Sequence, residues 1–214
     1  MEVTFEGPAG ILQGYLLLPD RDGTLPGVVV CHPHPLMGGD LHNNVVVGIC
    51  HKLAHLGIAS LSFNFRGVGR SQGIHDDGHG EVDDTLAAVK YLVSQDRIQC
   101  DNVGVAGYSF GAGIAMRATL LSNLTKAVCL IARATIDPDY NFARRPDLPV
   151  LFVLGSVDKP MNTEQLMNMK TKLVTPPEVQ IISGADHFFM GHEREVGEMV
   201  GSFFRHWLSN RAIA

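Results

Sequence analysis

Asn102-Val103-Gly104-Val105-Ala106-Gly107-Tyr108-Ser109-Phe110-Gly111-Ala112-Gly113-Ile114-Ala115-Met116 changes its pattern halfway along. Its first five residues are a short apolar run of the kind that fills a buried strand, and its last five open a helical pattern. Between them, Gly107–Gly111 matches G-x-S-x-G, the signature of a serine held on a sharp strand-to-helix turn. A glycine two residues to either side of that serine lets strand and helix approach where a Cβ would clash.

The same alternation extends outward along the chain. Apolar runs at 28–31, 58–63, 103–108, 127–131, 150–154 and 179–182 are too short for buried helices. They read as strands buried on both faces. Helical spacing predicts helices over 44–56, 81–93, 111–121, 163–173 and 191–208. Strands alternating with helices imply a mainly parallel sheet covered on both faces. Strand-like pieces near 3–5 and 11–18 predict an antiparallel edge. No repeat, low-complexity stretch or linker interrupts the pattern, so 1–214 reads as a single α/β domain.

Composition narrows the partners. The 214 residues suffice for a core that folds without staples, and 45% hydrophobic with 18% charged is a globular balance. Lys and Arg number 17 against 22 acidic residues, a formal charge of −5, and they are scattered, which argues against nucleic acid as partner. Residues 1–10 are acidic and lack the apolar core of a signal peptide. No apolar run approaches the roughly 20 residues of a membrane span. The expectation is a cytoplasmic chain with no membrane partner. Cys31, Cys50, Cys100 and Cys129 form no C-x-x-C pair, and three of them sit in apolar stretches as small buried hydrophobes.

The G-x-S-x-G pattern alone is weak, since a chain of this length matches by chance about one time in ten. It occurs here twice, the second time at Gly69-Arg70-Ser71-Gln72-Gly73. Context separates the two. Ser71 is followed by polar, Gly-rich sequence that is neither strand nor helix, so it reads as a structural turn. Ser109 stands where its Oγ is exposed above the sheet, with a helix N-terminus beneath any developing oxyanion. It is the candidate nucleophile.

A serine at its free pKa needs a base, itself oriented by a third group. On such turns the partners follow the serine in the order acid, then histidine. Three histidines lie beyond Ser109: His187, His192 and His206. His206 falls far along the terminal helix and His192 opens it. His187, in Gly184-Ala185-Asp186-His187-Phe188-Phe189, follows the last strand and can hang over the serine. For the acid, Asp158 leaves the strand 150–154 in a short turn, where ligands meet open α/β sheets. Asp137 and Asp139 are the alternatives, although Asp137-Pro138 looks more like a turn initiator. Asp186 reads as a cap of the histidine turn.

An oxyanion hole requires two backbone donors. One is the N–H of Phe110, after the serine. The other is expected from His32-Pro33-His34-Pro35-Leu36-Met37-Gly38-Gly39, after the strand 28–31. Proline has no N–H, so His34 is the first candidate and Leu36 the second. A metal reading of His32, His34, His75 and His79 lacks a completing carboxylate or thiol. His51 and His55 have helical i, i+4 spacing, but Lys52 stands where a zinc helix needs its Glu. Neither a metal nor any other cofactor is expected.

With these residues placed, the chain resembles the small lidless α/β-hydrolases related to the dienelactone hydrolase group, over almost its whole length. The motifs are the elbow at Ser109, His32-Pro33-His34-Pro35 with Gly38-Gly39, Asn64-Phe65-Arg66-Gly67-Val68-Gly69-Arg70-Ser71, Asp158 after a strand, and Gly184–Phe189. The resemblance implies an α/β-hydrolase fold of about eight strands without a cap domain, and hydrolysis of a small-molecule carboxylic ester. Dienelactone hydrolases themselves carry cysteine where this chain has Ser109, which puts the dienelactone substrate in doubt and leaves the general mechanism standing. Arg66 reads as a loop anchor. The segment 133–149, where larger relatives insert a cap, is short. An open site is therefore expected, walled by Leu36, Met37, Tyr108 and Phe188. Thioesterase, peptidase and acyltransferase chemistry would use the same three side chains. A binding module on a silent site is the rival of a different class.

Overall fold

The computed structural model describes residues 1–133, 140–159 and 163–209. Its strands are β1 (Glu2–Gly7), β2 (Gly10–Leu17), β3 (Leu25–Cys31), β4 (Ala59–Phe63), β5 (Ile98–Tyr108), β6 (Thr125–Ile131), β7 (Val150–Gly155) and β8 (Glu178–Ile182). Its helices are α1 (Asn44–His55), α2 (His79–Val93), α3 (Phe110–Leu121), α4 (Thr163–Lys172) and α5 (Glu193–Ser209). The strands form one eight-stranded sheet in the order β1-β2-β4-β3-β5-β6-β7-β8. β1 and β2 pair antiparallel with each other, β2 pairs antiparallel with β4, and every pairing from β4 to β8 is parallel. The sheet is thus mostly parallel with an antiparallel edge, as the apolar pattern implies.

Side chains alternate across a strand, so each central strand feeds two cores. Val28 and Val30 of β3 face a core shared with Val45, Val46, Ile49 and Leu53 of α1 and Val196, Val200 and Phe204 of α5. Val29 and Cys31 face the other core, with Val82, Val89 and Leu92 of α2 and Ala112, Ala115 and Met116 of α3. Cys31, Cys50 and Cys129 are buried and Cys100 is exposed. Burial pushes the Cys31 thiol up to about 12, which makes it an inert hydrophobe at neutral pH.

Among the differences from the sequence expectation, three have a clear physical cause. β5 starts at Ile98, five residues before the apolar run, because Ile98 pairs with Leu25 while Cys100 and Asp101 remain exposed. α2 starts at His79 because the Glu81 carboxylate folds back to accept the N–H groups of Gly78 at 2.8 Å and Asp76 at 3.0 Å. The run 179–182 is not buried on both faces: β8 is the last strand of the sheet, and Ile181 is 60% exposed there. Between β6 and β7 the described residues supply only a short 3-10 turn, Phe142–Arg144, with Phe142 packed into the core. Among the described residues, no cap covers the carboxyl edge.

Candidate active site

Ser109 sits between the end of β5 and the start of α3 with φ 54° and ψ −112°. A non-glycine residue at positive φ is strained by about 1–3 kcal/mol and persists only where its surroundings enforce it. Here its N–H donates to the Ile131 carbonyl at 2.8 Å, and its own carbonyl accepts from Ala112 N–H at 3.1 Å. A Cβ on Gly107 would collide with the Gly111 carbonyl, and a Cβ on Gly111 with the His32 carbonyl. Both glycines of the motif are therefore packing requirements.

The serine Oγ lies 2.9 Å from His187 Nε2, and His187 Nδ1 lies 2.8 Å from Asp158 Oδ2. Asp158 leaves β7, and its other oxygen accepts the N–H of Lys159 at 2.7 Å. The turn after β7 is stitched to the turn after β8, with Val157 N–H donating to the Ala185 carbonyl at 2.9 Å and Ser156 N–H to the Ile182 carbonyl at 3.0 Å. The loops carrying Asp158 and His187 are thereby held as one unit. Tyr108 adds a third tie, its hydroxyl donating to the His187 carbonyl at 2.7 Å. Burial, and then the charges of Asp158 and Asp186, push the phenol up to about 12, so it remains a donor. Asp186 caps the turn by accepting Phe188 N–H at 2.9 Å.

Beside the serine, the loop after β3 makes a 3-10 turn at Pro35–Met37. The Leu36 N–H is taken by His34 Nδ1 at 3.2 Å, which removes it as a donor to any ligand. Among the described residues no hydrogen bond engages the N–H of His34 or of Phe110. The His34 ring packs on Phe110 and on His75, at centroid separations of 4.8 and 5.3 Å. His32 is fully buried: Nδ1–H donates to the Pro33 carbonyl at 2.7 Å, and Nε2 accepts Phe65 N–H at 3.1 Å. Burial pulls its pKa down to about 4, so the ring is neutral and serves as a brace.

A cleft of about 620 Å³ opens over these groups, lined in part by His34, Met37, Ser109, Phe110, His187 and Phe188. Two expected wall residues are not part of it. Tyr108 is buried beneath the histidine loop, and Leu36 is 75% exposed with its side chain outside the cleft. Ala132, Arg133 and Lys159 line it instead. Nothing in the periodicity marked them, yet a cation just past the C-terminal end of a parallel strand is placed where open sheets meet ligands.

The remaining candidates lie elsewhere. Ser71 is buried, donates to the Asn64 carbonyl at 2.7 Å and accepts Gln13 N–H at 2.9 Å. Arg66 forks onto Asp84 at 3.0 and 2.7 Å, the anchor expected of it. His192 pairs with Glu195, and His206 packs on Trp207. Among the described residues no cluster of His, Cys, Asp and Glu has the geometry of a metal site. Asp137 and Asp139 lie outside the described residues. No described helix is long and apolar enough to cross a membrane.

The model of the dienelactone hydrolase family matches residues 12–210. Among solved structures, the chain is similar to a protein of unknown function from Agrobacterium tumefaciens, with 32% identity, 98% of each chain covered and a TM-score of 0.81. It is similar to an α/β serine hydrolase homologue from Coxiella burnetii, with 30% identity over 95% of this chain and 96% of that one and a TM-score of 0.80. A serine hydrolase without a lid from Xanthomonas campestris shows 28% identity, 100% and 96% coverage and a TM-score of 0.80.

Proposed function

We propose, from the premise that the chain belongs to the dienelactone hydrolase family, that it is a serine hydrolase of carboxylic esters acting through Ser109, His187 and Asp158. The single observation that carries the reading is the unbroken chain of contacts from Ser109 Oγ to His187 Nε2 at 2.9 Å and from His187 Nδ1 to Asp158 at 2.8 Å. The distances suit proton transfer in the ground state. The whole chain works as one catalytic domain on a small-molecule ester, and the three side chains need no cofactor.

His187 takes the Ser109 proton through Nε2 as Oγ attacks the ester carbonyl. Asp158 holds the ring in the tautomer that leaves Nε2 free and stabilises the imidazolium. The N–H groups of Phe110 and His34 receive the tetrahedral oxyanion, and His34 is favoured over Leu36 because the Leu36 N–H is already occupied. The intermediate collapses as His187 protonates the departing alcohol. Water then enters, loses its proton to His187 and attacks the acyl-serine, and the acid leaves as Oγ recovers its proton. Tyr108 is a positioning residue, which keeps the histidine loop at the right height through the His187 carbonyl.

The test pairs short p-nitrophenyl esters with intact-mass labelling by a fluorophosphonate. Wild type hydrolyses the esters and gains one phosphonyl mass, while Ser109→Ala takes no label and loses turnover by about 10³-fold or more. A Ser109→Ala protein that keeps most of its turnover overturns the assignment.

A further inference from the structure

Arg133 follows Ile131 and Ala132 at the carboxyl end of β6, the strand next to the one that carries Ser109. It lines the same cleft as the serine, and Lys159, from the end of β7, lines it as well. Arginine is rarely left without a partner when half buried. Arg145 in this chain illustrates the rule, with its guanidinium donating to the carbonyls of Ser122 at 2.6 Å and Thr125 at 2.9 Å. Arg133 does not follow it. Among the described residues no carboxylate pairs with it, and its Nε is buried without a hydrogen-bond partner.

Its location sharpens the anomaly. The guanidinium lies flat against the first turns of α3, within 3.2–3.3 Å of where a Gly113 Cβ would stand. A cation at a helix N-terminus meets the positive end of the peptide dipoles, and its field adds to theirs. Among the described residues the one carboxylate lining the cleft, Asp158, is engaged by His187 and by the Lys159 N–H. In a chain of net charge −5, the described residues thus give this cleft a locally cationic wall at Arg133 and Lys159. The opposite side is different. Met37, on the β3 side of Ser109 in the strand order, is 83% exposed and apolar.

We infer that Arg133, backed by Lys159, makes the cleft select esters with a carboxylate on the arm that runs towards β6 and β7 and an apolar group on the other arm. The inference rests on the ester-hydrolase reading above and adds a substrate class to it. A carboxylate taken by the terminal nitrogens of Arg133 would neutralise the added positive field and orient the scissile carbonyl over Ser109. Arg133 touches substrate only through the distant carboxylate, so its contribution is to specificity.

The test measures kcat/KM for carboxylate esters against their methyl-capped, uncharged counterparts. One pair places the charge in the acyl arm: 4-nitrophenyl hydrogen glutarate against its methyl ester. The other places it in the alcohol arm: 4-acetoxybenzoate against its methyl ester. Wild type is expected to prefer the anionic member of one pair by about ten-fold or more, and the preferred pair identifies the arm. That ratio should collapse towards unity in Arg133→Met, recover in part in Arg133→Lys, and shrink with added salt. Indifference to charge in both wild-type pairs, or a preference that survives Arg133→Met, overturns the inference. If Arg133→Met does not fold, free glutarate and 4-acetamidobenzoate are tested as inhibitors of a neutral ester in wild type. Salt-sensitive competition by either supports the inference, and no competition by both overturns it. Failure of the underlying reading looks different: no ester of either pair is hydrolysed and Ser109 takes no label.

Discussion

The chain writes G-x-S-x-G twice and uses it in two ways. At Gly69–Gly73 the serine is buried, and its hydroxyl is spent on the Asn64 carbonyl and the Gln13 N–H, tying β2 to the loop after β4. At Gly107–Gly111 the serine is pushed to φ 54° between strand and helix, and among the described residues its hydroxyl meets only an imidazole. The residue before each serine follows the same division. Arg70 is exposed and pairs with Glu2 at the surface, while Tyr108 is buried and braces the histidine loop. Five letters therefore decide little. What decides is the element on either side, and whether the hydroxyl already has backbone partners.

Substitutions can break or sharpen this contrast. The largest effect is expected for Ser109→Ala, which should cost about 10³-fold in kcat while leaving the urea midpoint close to wild type, because alanine keeps the Cβ and with it the backbone strain. His32 links the two motif loops: its ring accepts Phe65 N–H beside the first, and its carbonyl stands against Gly111 of the second. Its pKa is pulled from about 6.5 when unfolded to about 4 when folded, so the unfolded chain binds the extra proton between those values. Stability should be fully present above pH 6.5 and fall as pH drops through the window, by up to about 3 kcal/mol. His32→Gln should flatten that part of the pH dependence of the urea midpoint.

Ser71→Ala comes next. It leaves a buried N–H and a buried carbonyl with one partner fewer, so stability should drop by about 1–3 kcal/mol while kcat per folded molecule is retained. A large loss of kcat in Ser71→Ala would break the contrast. The smallest effect belongs to Tyr108→Phe. Losing one hydrogen bond worth about 0.5–1.5 kcal/mol should lower kcat by about two- to ten-fold with KM little changed, because the hydroxyl touches the histidine backbone and not the cleft.

Most of the sheet was legible in the amino-acid order because parallel central strands, buried on both faces, must be written as short apolar runs. The first half of β5 escaped that logic, since Gln99, Cys100 and Asp101 are strand residues without being buried. The residues brought together at the serine were legible from chain order and from the turn chemistry around His187 and Asp158. The cleft walls were not. Periodicity says that Tyr108 ends a strand, but the side to which its ring points depends on the histidine loop packed above it. Leu36 and Met37 are neighbours in one 3-10 turn, and only the turn's pitch puts Met37 in the cleft. Arg133 read as one of many scattered cations, because a place in the cleft wall is a property of three-dimensional surroundings.

Among the described residues nothing covers the carboxyl edge over Ser109, and this bears on how the molecule keeps time. Enzymes that close a roof over their substrate are often paced by its opening, and their turnover then responds to solvent viscosity. A cleft that stays open exchanges its ligands by diffusion alone. The clock would then be the making and breaking of the acyl–oxygen bond, and a good leaving group would show itself as a rapid first turnover followed by a slower steady rate.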